Sequence, residues 1–261
     1  MRVTLFEIGG FSVNSYGVVV ALAFLLGLGV AHYLTKNTVY QSHLFDSIIY
    51  IIIAAILGAR IWHVFFFQWG YYSNNLSEII AIWNGGISII GAIVGGAIGM
   101  AIYTWRKKLS FWEYADLLAP AVVIGQAIGR IACFLNGDAY GSPTGSGFGI
   151  VYPEGTMAFD RYGSQPLWPA EIWEGQWDLI IFALLLVLRN KKLPAGVHFL
   201  IYTILYAAGR FMLEYLRGDS PRYALQWTAG QWTSVSMIIC SIVLIVYFYT
   251  RRQIKSGSYN K

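Results

Sequence analysis

The sequence predicts an all-α, polytopic membrane protein with seven transmembrane helices and a folded cap segment on the outer side. Three observations carry that prediction. Of 261 residues, 57% are hydrophobic and 12% charged, where a soluble domain carries about 25% charged residues. The apolar residues gather into seven runs able to cross roughly 30 Å of hydrocarbon. Ten tryptophans and eighteen tyrosines suit two lipid–water interfaces, because their rings are apolar and their N–H or O–H groups are not.

The predicted spans are 15–34, 44–66, 87–105, 117–136, 172–189, 196–216 and 232–250. The first follows Arg2, Glu7, Gly9 and Gly10 rather than an apolar core with a cleavage site, so it reads as a retained anchor and not a signal peptide. The second and third are long and glycine-rich. The fourth runs into Arg130 and then GRIACFLNGDAYG, residues 129–141. The fifth departs furthest from an apolar run, because Glu171, Glu174 and Asp178 lie at its start. The sixth ends in GRFMLEYLRGD, and the seventh leads into a basic tail.

Charge orients the bundle. Eleven of the eighteen Lys and Arg fall in alternate connections: Lys36, Arg106 to Lys108, Arg189, Lys191, Lys192, Arg251, Arg252, Lys255 and Lys261. The opposite connections hold Arg2, Arg161, Arg217 and Arg222. The positive-inside rule then puts the C-terminus in the cytoplasm and, with seven spans, the N-terminus outside. The net charge of +5 is topology, not a nucleic-acid footprint, and no nucleic-acid partner is expected. Residues 1–261 read as one integral membrane domain. Cys133 and Cys240 fall within spans and form no CxxC pair, so buried, inert thiols are expected, with no disulfide, metal or cofactor.

One long connection, about 137–170, lies on the predicted outer side. Its density of Gly, Pro and Ser prevents a continuous helix, and its apolar residues suggest a compact cap. A shorter outer connection, 68–86, carries Trp69, Tyr71, Tyr72 and Trp83.

The orientation gathers polar residues at one depth. Arg60 and His63 end the second span; Arg130, Asn136 and Asp138 end the fourth. Arg210, Glu214 and Arg217 end the sixth at i, i+4 and i+7, one helical face, and Tyr16 opens the first. Each has a plainer reading. Arg210 and Glu214 make an intrahelical ion pair, Arg60 snorkels to headgroups, Asn136 and Asp138 cap a helix end, and Gly125 and Gly129 bring helices together. Those readings leave the coincidence unexplained. Several arginines and a carboxylate at one depth in low dielectric point to an anionic ligand. Arginine, always charged and forked, grips phosphate with two donors.

GRIACFLNGDAYG resembles the signature of the prolipoprotein diacylglyceryl transferases, which reads G-R-x-G/A-N-F-x-N-x-E-x-x-G. NSYGVVV, GARIWHVFF, WNGGIS and LYAAGRFMLEYLR resemble further motifs of that family in the same order, so the likeness covers nearly the whole chain. There are three departures. Cys133 replaces the signature's asparagine and Asp138 its glutamate. Ile90 stands where many members carry a histidine proposed as a base.

The resemblance implies a bacterial inner-membrane transferase that needs no cofactor. It would move the diacylglyceryl unit of phosphatidylglycerol onto the lipobox cysteine at the signal peptide of a prolipoprotein, forming a thioether and releasing glycerol phosphate. Its partners would be phosphatidylglycerol, the prolipoprotein segment and membrane lipids. Two tasks follow: holding the departing phosphate's charge, and making a thiolate from a thiol with a pKa near 8.5. Arg130 and Arg210 would clamp the headgroup, with Arg60 and Arg217 supporting. Glu214 would hold Arg210. Asn136 and Asp138 would bond the glycerol hydroxyls or order the outer loop, and Tyr16 and Tyr206 would donate to phosphate oxygens. His63, Tyr206 and Glu214 are the candidate bases, and a positive field lowering the thiol's pKa is a further route.

Rival classes fit less well. A retinal protein wants a lysine in the last span, and 232–250 has none. A transporter or binding protein for an anionic lipid or small anion is the alternative, but it favours internal repeats and broken helices near the midplane. An intramembrane protease lacks both an HExxH motif and a serine–histidine pairing.

Overall fold

The computed structural model describes residues 4–8 and 11–257, with the side chains at 5–8, 11, 12 and 254–257 outside that description. Arg2, Gly9, Gly10 and Lys261, and the side chains of Glu7 and Lys255, therefore lie outside the described residues. Among the described residues the regular structure is helical apart from an antiparallel pair of strands, β1 (Thr4–Ile8) and β2 (Phe11–Asn14), ahead of the first helix, and isolated bridges in the cap and near residues 217–228.

The helices are α1 (Ser15–Thr35), α2 (Leu44–Trp62), the single turn α3 (Trp69–Tyr72), α4 (Ile89–Lys107), α5 (Phe111–Asn136), the short α6 (Met157–Tyr162), α7 (Ala170–Leu188), α8 (Val197–Leu213) and α9 (Ala229–Gly257). A π-turn, His63–Phe67, prolongs α2. Among the described residues six helical segments are long and apolar enough to cross a membrane, and the protein is a multi-pass membrane protein. The predicted fifth span is α7. Its 19 residues reach roughly 28 Å at the α-helical rise, but Glu171, Glu174 and Asp178 keep it out of those six.

The chain divides into two compact units, one of Met1–Leu34 with Ala115–Lys261, the other of Thr35–Tyr114. In the second unit α2 and α4 pack backbone to backbone. A Cβ on Gly91 would strike the Gly58 carbonyl, and one on Gly95 the Ala54 carbonyl, so only glycine permits that approach. Here WNGGIS acquires a structural meaning. Gly85 and Gly86 turn the chain at positive φ, and Ser88 then caps α4 by accepting from the Gly91 N–H.

In the first unit α5, α7 and α8 share a core of Ala119, Val123, Ile181, Leu185 and Tyr202. The Trp177 ring of α7 rests on Gly209 of α8, where any Cβ would overlap it, and donates to the Leu205 carbonyl at 2.9 Å. Asp116 of α5 satisfies the start of α8, accepting from the backbone N–H of Gly196 at 2.7 Å and of Phe199 at 2.8 Å. The helix-pairing expectation for α5 does not hold at Gly129, where an added Cβ would meet nothing within 4 Å outside its own helix; a Cβ on Gly125 would lie 3.7 Å from the Ala23 carbonyl oxygen, an ordinary contact. Cys240 is exposed on α9 rather than buried, and Cys133 is half-buried.

The cap is folded, as its apolar content suggests. Tyr140, Tyr152, Ala158 and Leu167 form a small core of their own. Ser142 donates its N–H to the Leu216 carbonyl at 2.7 Å, and Gly218 donates to Tyr140 at 3.1 Å. These bonds stitch the cap to the segment that follows α8.

Candidate active site

Three arginines of the first unit converge on one carboxylate. Glu174 of α7 is 4% exposed. It lies 2.6 Å from an N–H group of Arg130 on α5, 2.7 Å from one of Arg210 on α8 and 3.2 Å from one of Arg217 beyond α8. Helix geometry brings them together: Arg130 lies in the last two turns of α5, Glu174 in the first two of α7, and Arg210 in the last turn of α8. Antiparallel neighbours place such positions at one level.

A second carboxylate closes the network. Glu214, 1% exposed, meets Arg210 at 2.8 Å and Arg217 at 3.9 Å, and accepts from the Thr228 hydroxyl at 2.8 Å. Asp219 takes both Nε and Nη2 of Arg217, a bidentate pair. Burial works against the Arg217 charge, but Asp219, Glu174 and Glu214 outweigh it and hold its pKa above the ordinary value. The expected single face of Arg210, Glu214 and Arg217 is corrected here. α8 ends at Leu213, a 3₁₀ turn spans Glu214–Leu216, and Arg217 is extended at φ −73° and ψ 139°. The tighter turn is what swings Arg217 onto Glu174.

Three guanidiniums thus face three ion-paired carboxylates, and the formal charge of the cluster is balanced rather than positive. Its arginines are not equally enclosed. Arg217 keeps 7% of its side chain exposed, whereas Arg130 keeps 19% and Arg210 20%. The outer two can therefore still meet a ligand. Tyr206 of α8 lines a narrow cleft with Glu174, Asp178 and Arg210.

The remaining signature residues sit beside Arg130. Asn136 donates its side-chain N–H to Asp138 at 2.7 Å, so the two close a loop-ordering contact. Tyr16, 42% exposed, lies in the field of Asp138 and Arg130, and Cys133 shares those neighbours. In the cap, Tyr152 donates to the fully buried Glu171, and burial together with that carboxylate pushes the tyrosine's pKa up.

Arg60 and His63 belong to the other unit. All five N–H donors of Arg60 go to backbone carbonyls, those of Glu78, Ile79, Ala81, Gly85 and Gly86, at 2.5 to 3.2 Å. Its guanidinium also lies 5.0 Å from the Tyr72 ring centroid. It fastens the loop between α3 and α4, and no donor is left over for a phosphate, so the expected headgroup contact finds no support in its surroundings. His63 stands edge-on to Phe67 and Tyr72, each centroid at 6.1 Å.

Sequence reasoning missed Glu174, the residue on which the cluster turns. The signal was present: Glu171, Glu174 and Asp178 recur at i, i+3 and i+7 in an otherwise apolar helix, which puts them on one face toward the bundle.

The profile of the family described as prolipoprotein diacylglyceryl transferase matches residues 3–247. A protein of Listeria welshimeri is 39% identical over 250 residues, covering 92% of this chain and 87% of its own. One from Nostoc sp. is 36% identical over 256 residues, covering 95% and 90%. One from Symbiobacterium thermophilum is 34% identical over 252 residues, covering 96% and 94%. Each bears the name phosphatidylglycerol–prolipoprotein diacylglyceryl transferase.

Proposed function

This chain belongs to the prolipoprotein diacylglyceryl transferase family, and from that premise we propose how its buried arginines serve the reaction. The protein is an enzyme of lipoprotein maturation, transferring the diacylglyceryl group of phosphatidylglycerol to a prolipoprotein in the first step of that process. The acceptor is the lipobox cysteine thiol, and the products are a thioether and glycerol phosphate. Transport of an anionic lipid has no support in the comparisons.

The reaction is a displacement at carbon in which a phosphate ester leaves. As the C–O bond breaks, the phosphate gains charge, and fixed donors in a water-poor site stabilise that charge most. Arg130 and Arg210 hold the phosphate. The observation that carries this reading is their meeting on a single carboxylate from two different helices, each with about a fifth of its side chain still open. Glu174 and Glu214 keep the two forks aimed, so little reorganisation is needed when the ligand arrives. Arg217, enclosed by Asp219, Glu174 and Glu214, braces that frame. Tyr16 and Tyr206 supply hydroxyl donors at its edge, while Asn136 and Asp138 order the outer loop. Glu214 is a poor base, since Arg210 and Thr228 already occupy its oxygens.

The positive-inside pattern places this cluster on the outer side of the membrane, where an exported prolipoprotein and the surrounding lipids present both substrates. The test uses labelled phosphatidylglycerol and a lipobox peptide with the purified protein. A thioether adduct and free glycerol phosphate are expected. Arg130→Lys and Arg210→Lys should each lose at least about tenfold in kcat/KM, because lysine cannot form the fork. Full activity in both would remove the clamp.

A further inference from the structure

α7 carries a carboxylate that the arginine network leaves unused. Asp178 stands one turn beyond Glu174 on the same helix face and is 2% exposed. Its Oδ2 is buried with no hydrogen-bond partner, and among the described residues it joins no ion pair. The groups that face it are Arg130 of α5, Tyr202, Tyr206 and Arg210 of α8, and Glu174 of its own helix. None of the four from other helices satisfies it. Arg130 and Arg210 turn their N–H groups to Glu174, and the Tyr202 hydroxyl donates to Gln126 at 2.8 Å. With Glu174, Tyr206 and Arg210, Asp178 lines a cleft of about 10 Å³, room for a single water.

A buried carboxylate with a free oxygen is costly as packing and useful as chemistry. We propose that Asp178 is the proton acceptor for the substrate thiol, acting through one water held in that cleft. This rests on the transferase reading above, and it fills the role left open by Ile90. The thiol proton passes by way of the water to Asp178 Oδ2. The sulfur electron pair forms the new bond to the methylene carbon of the diacylglyceryl unit. The C–O bond to phosphate breaks, and its electron pair leaves on the phosphate oxygen. The stored proton then returns through the water to the glycerol phosphate, whose second ionisation makes it a ready acceptor. No redox partner is needed.

Asp178→Asn tests this, because asparagine keeps the shape and cannot take the proton. Thioether formation is followed in vesicles of phosphatidylglycerol with a lipobox peptide from pH 5 to 9. The expected result is a fall in kcat of about 100-fold or more with KM for the lipid little changed. The acid limb of the wild-type profile should be lost, and the variant's rate should climb toward the free thiol's pKa near 8.5. Wild-type rate and profile in the variant would overturn the proposal. So would a loss of rate with the pH profile unchanged, which marks a merely structural role. Should Asp178→Asn not fold, Asp178→Glu is read instead: a displaced acid limb supports the proposal and an unmoved one overturns it. Absence of thioether from the wild-type protein would strike the transferase reading itself, a separate outcome.

Discussion

The Arg130 guanidinium lies 2.6 Å from the Glu174 carboxylate, joining the end of α5 to the start of α7 inside an apolar bundle. That pair is the anchor of the site, since Arg210 and Arg217 reach the other oxygen of the same carboxylate.

Glu174→Gln should therefore be severe. It leaves three guanidiniums facing two carboxylates in a low-dielectric interior, and breaking a buried ion pair by removing one partner costs about 3–5 kcal/mol. Thermal unfolding in detergent reads this directly. A variant as stable as the wild type would show that the arginines do not depend on Glu174.

Gly85 and Gly86 make an internal comparison. Both have positive φ, but a Cβ on Gly85 meets nothing, whereas one on Gly86 lies 2.8 Å from Arg60 Nη1 and 2.9 Å from both His63 Nε2 and the Tyr72 hydroxyl. Gly85→Ala should cost roughly 1–3 kcal/mol from backbone strain alone, because φ 84° with ψ −158° is a conformation open essentially only to glycine. Gly86→Ala should cost clearly more, because it also dislodges the Arg60 fork. Unfolding midpoints of the two variants measured side by side check the order.

Arg60→Lys separates loop fastening from headgroup binding. Lysine offers three donors without the planar fork, so at least two of five carbonyls lose their partner, at about 1–3 kcal/mol for each that stays buried. Limited proteolysis between residues 73 and 87 should quicken, while KM for phosphatidylglycerol in the folded fraction holds. A rise in KM with normal protease resistance would return Arg60 to the headgroup.

Gly129→Ala should keep or raise the unfolding temperature, since alanine is favoured over glycine in a helix by about 1 kcal/mol and nothing lies within 4 Å of the new methyl. On the proposed clamp, KM for the lipid should rise all the same, because the headgroup would pack beside Arg130. A lowered melting temperature would show that Gly129 serves helix packing.

Alkaline stability depends on Tyr40. Burial and the Glu113 carboxylate, 2.9 Å away, push its pKa up to about 12 from an ordinary value near 10. The neutral hydroxyl is thus the form the fold favours. Its contribution is complete below pH 10 and is lost as pH rises through 12. Tyr40→Phe should flatten the fall in stability across that window, read by unfolding at a series of pH values. An unchanged slope would place the alkaline loss elsewhere.

Much of this protein was legible in its sequence. Apolar run length fixes helices in lipid, because every backbone N–H and C=O must be satisfied within its own segment. The starts and ends of α1, α4 and α8 accordingly fall within a few residues of the hydropathy reading. Arg130 and Arg210 stood out because a permanent cation inside a span demands an explanation. The reading failed where the decisive quantity was a side chain's partner. Arg60 and Arg210 look alike in sequence, each an arginine near a helix end, yet one is consumed by five carbonyls and the other meets two carboxylates.

Sequence alone determined that this chain crosses the membrane repeatedly, and which arginines it carries into the hydrocarbon. Only the tertiary structure decided that α7 presents Glu174 to two of them and to Arg217, and keeps Asp178 unpaired beneath. The reason is reach. Hydropathy is a property of each segment, whereas an ion pair exists within about 4 Å, a distance set by how separate helices pack.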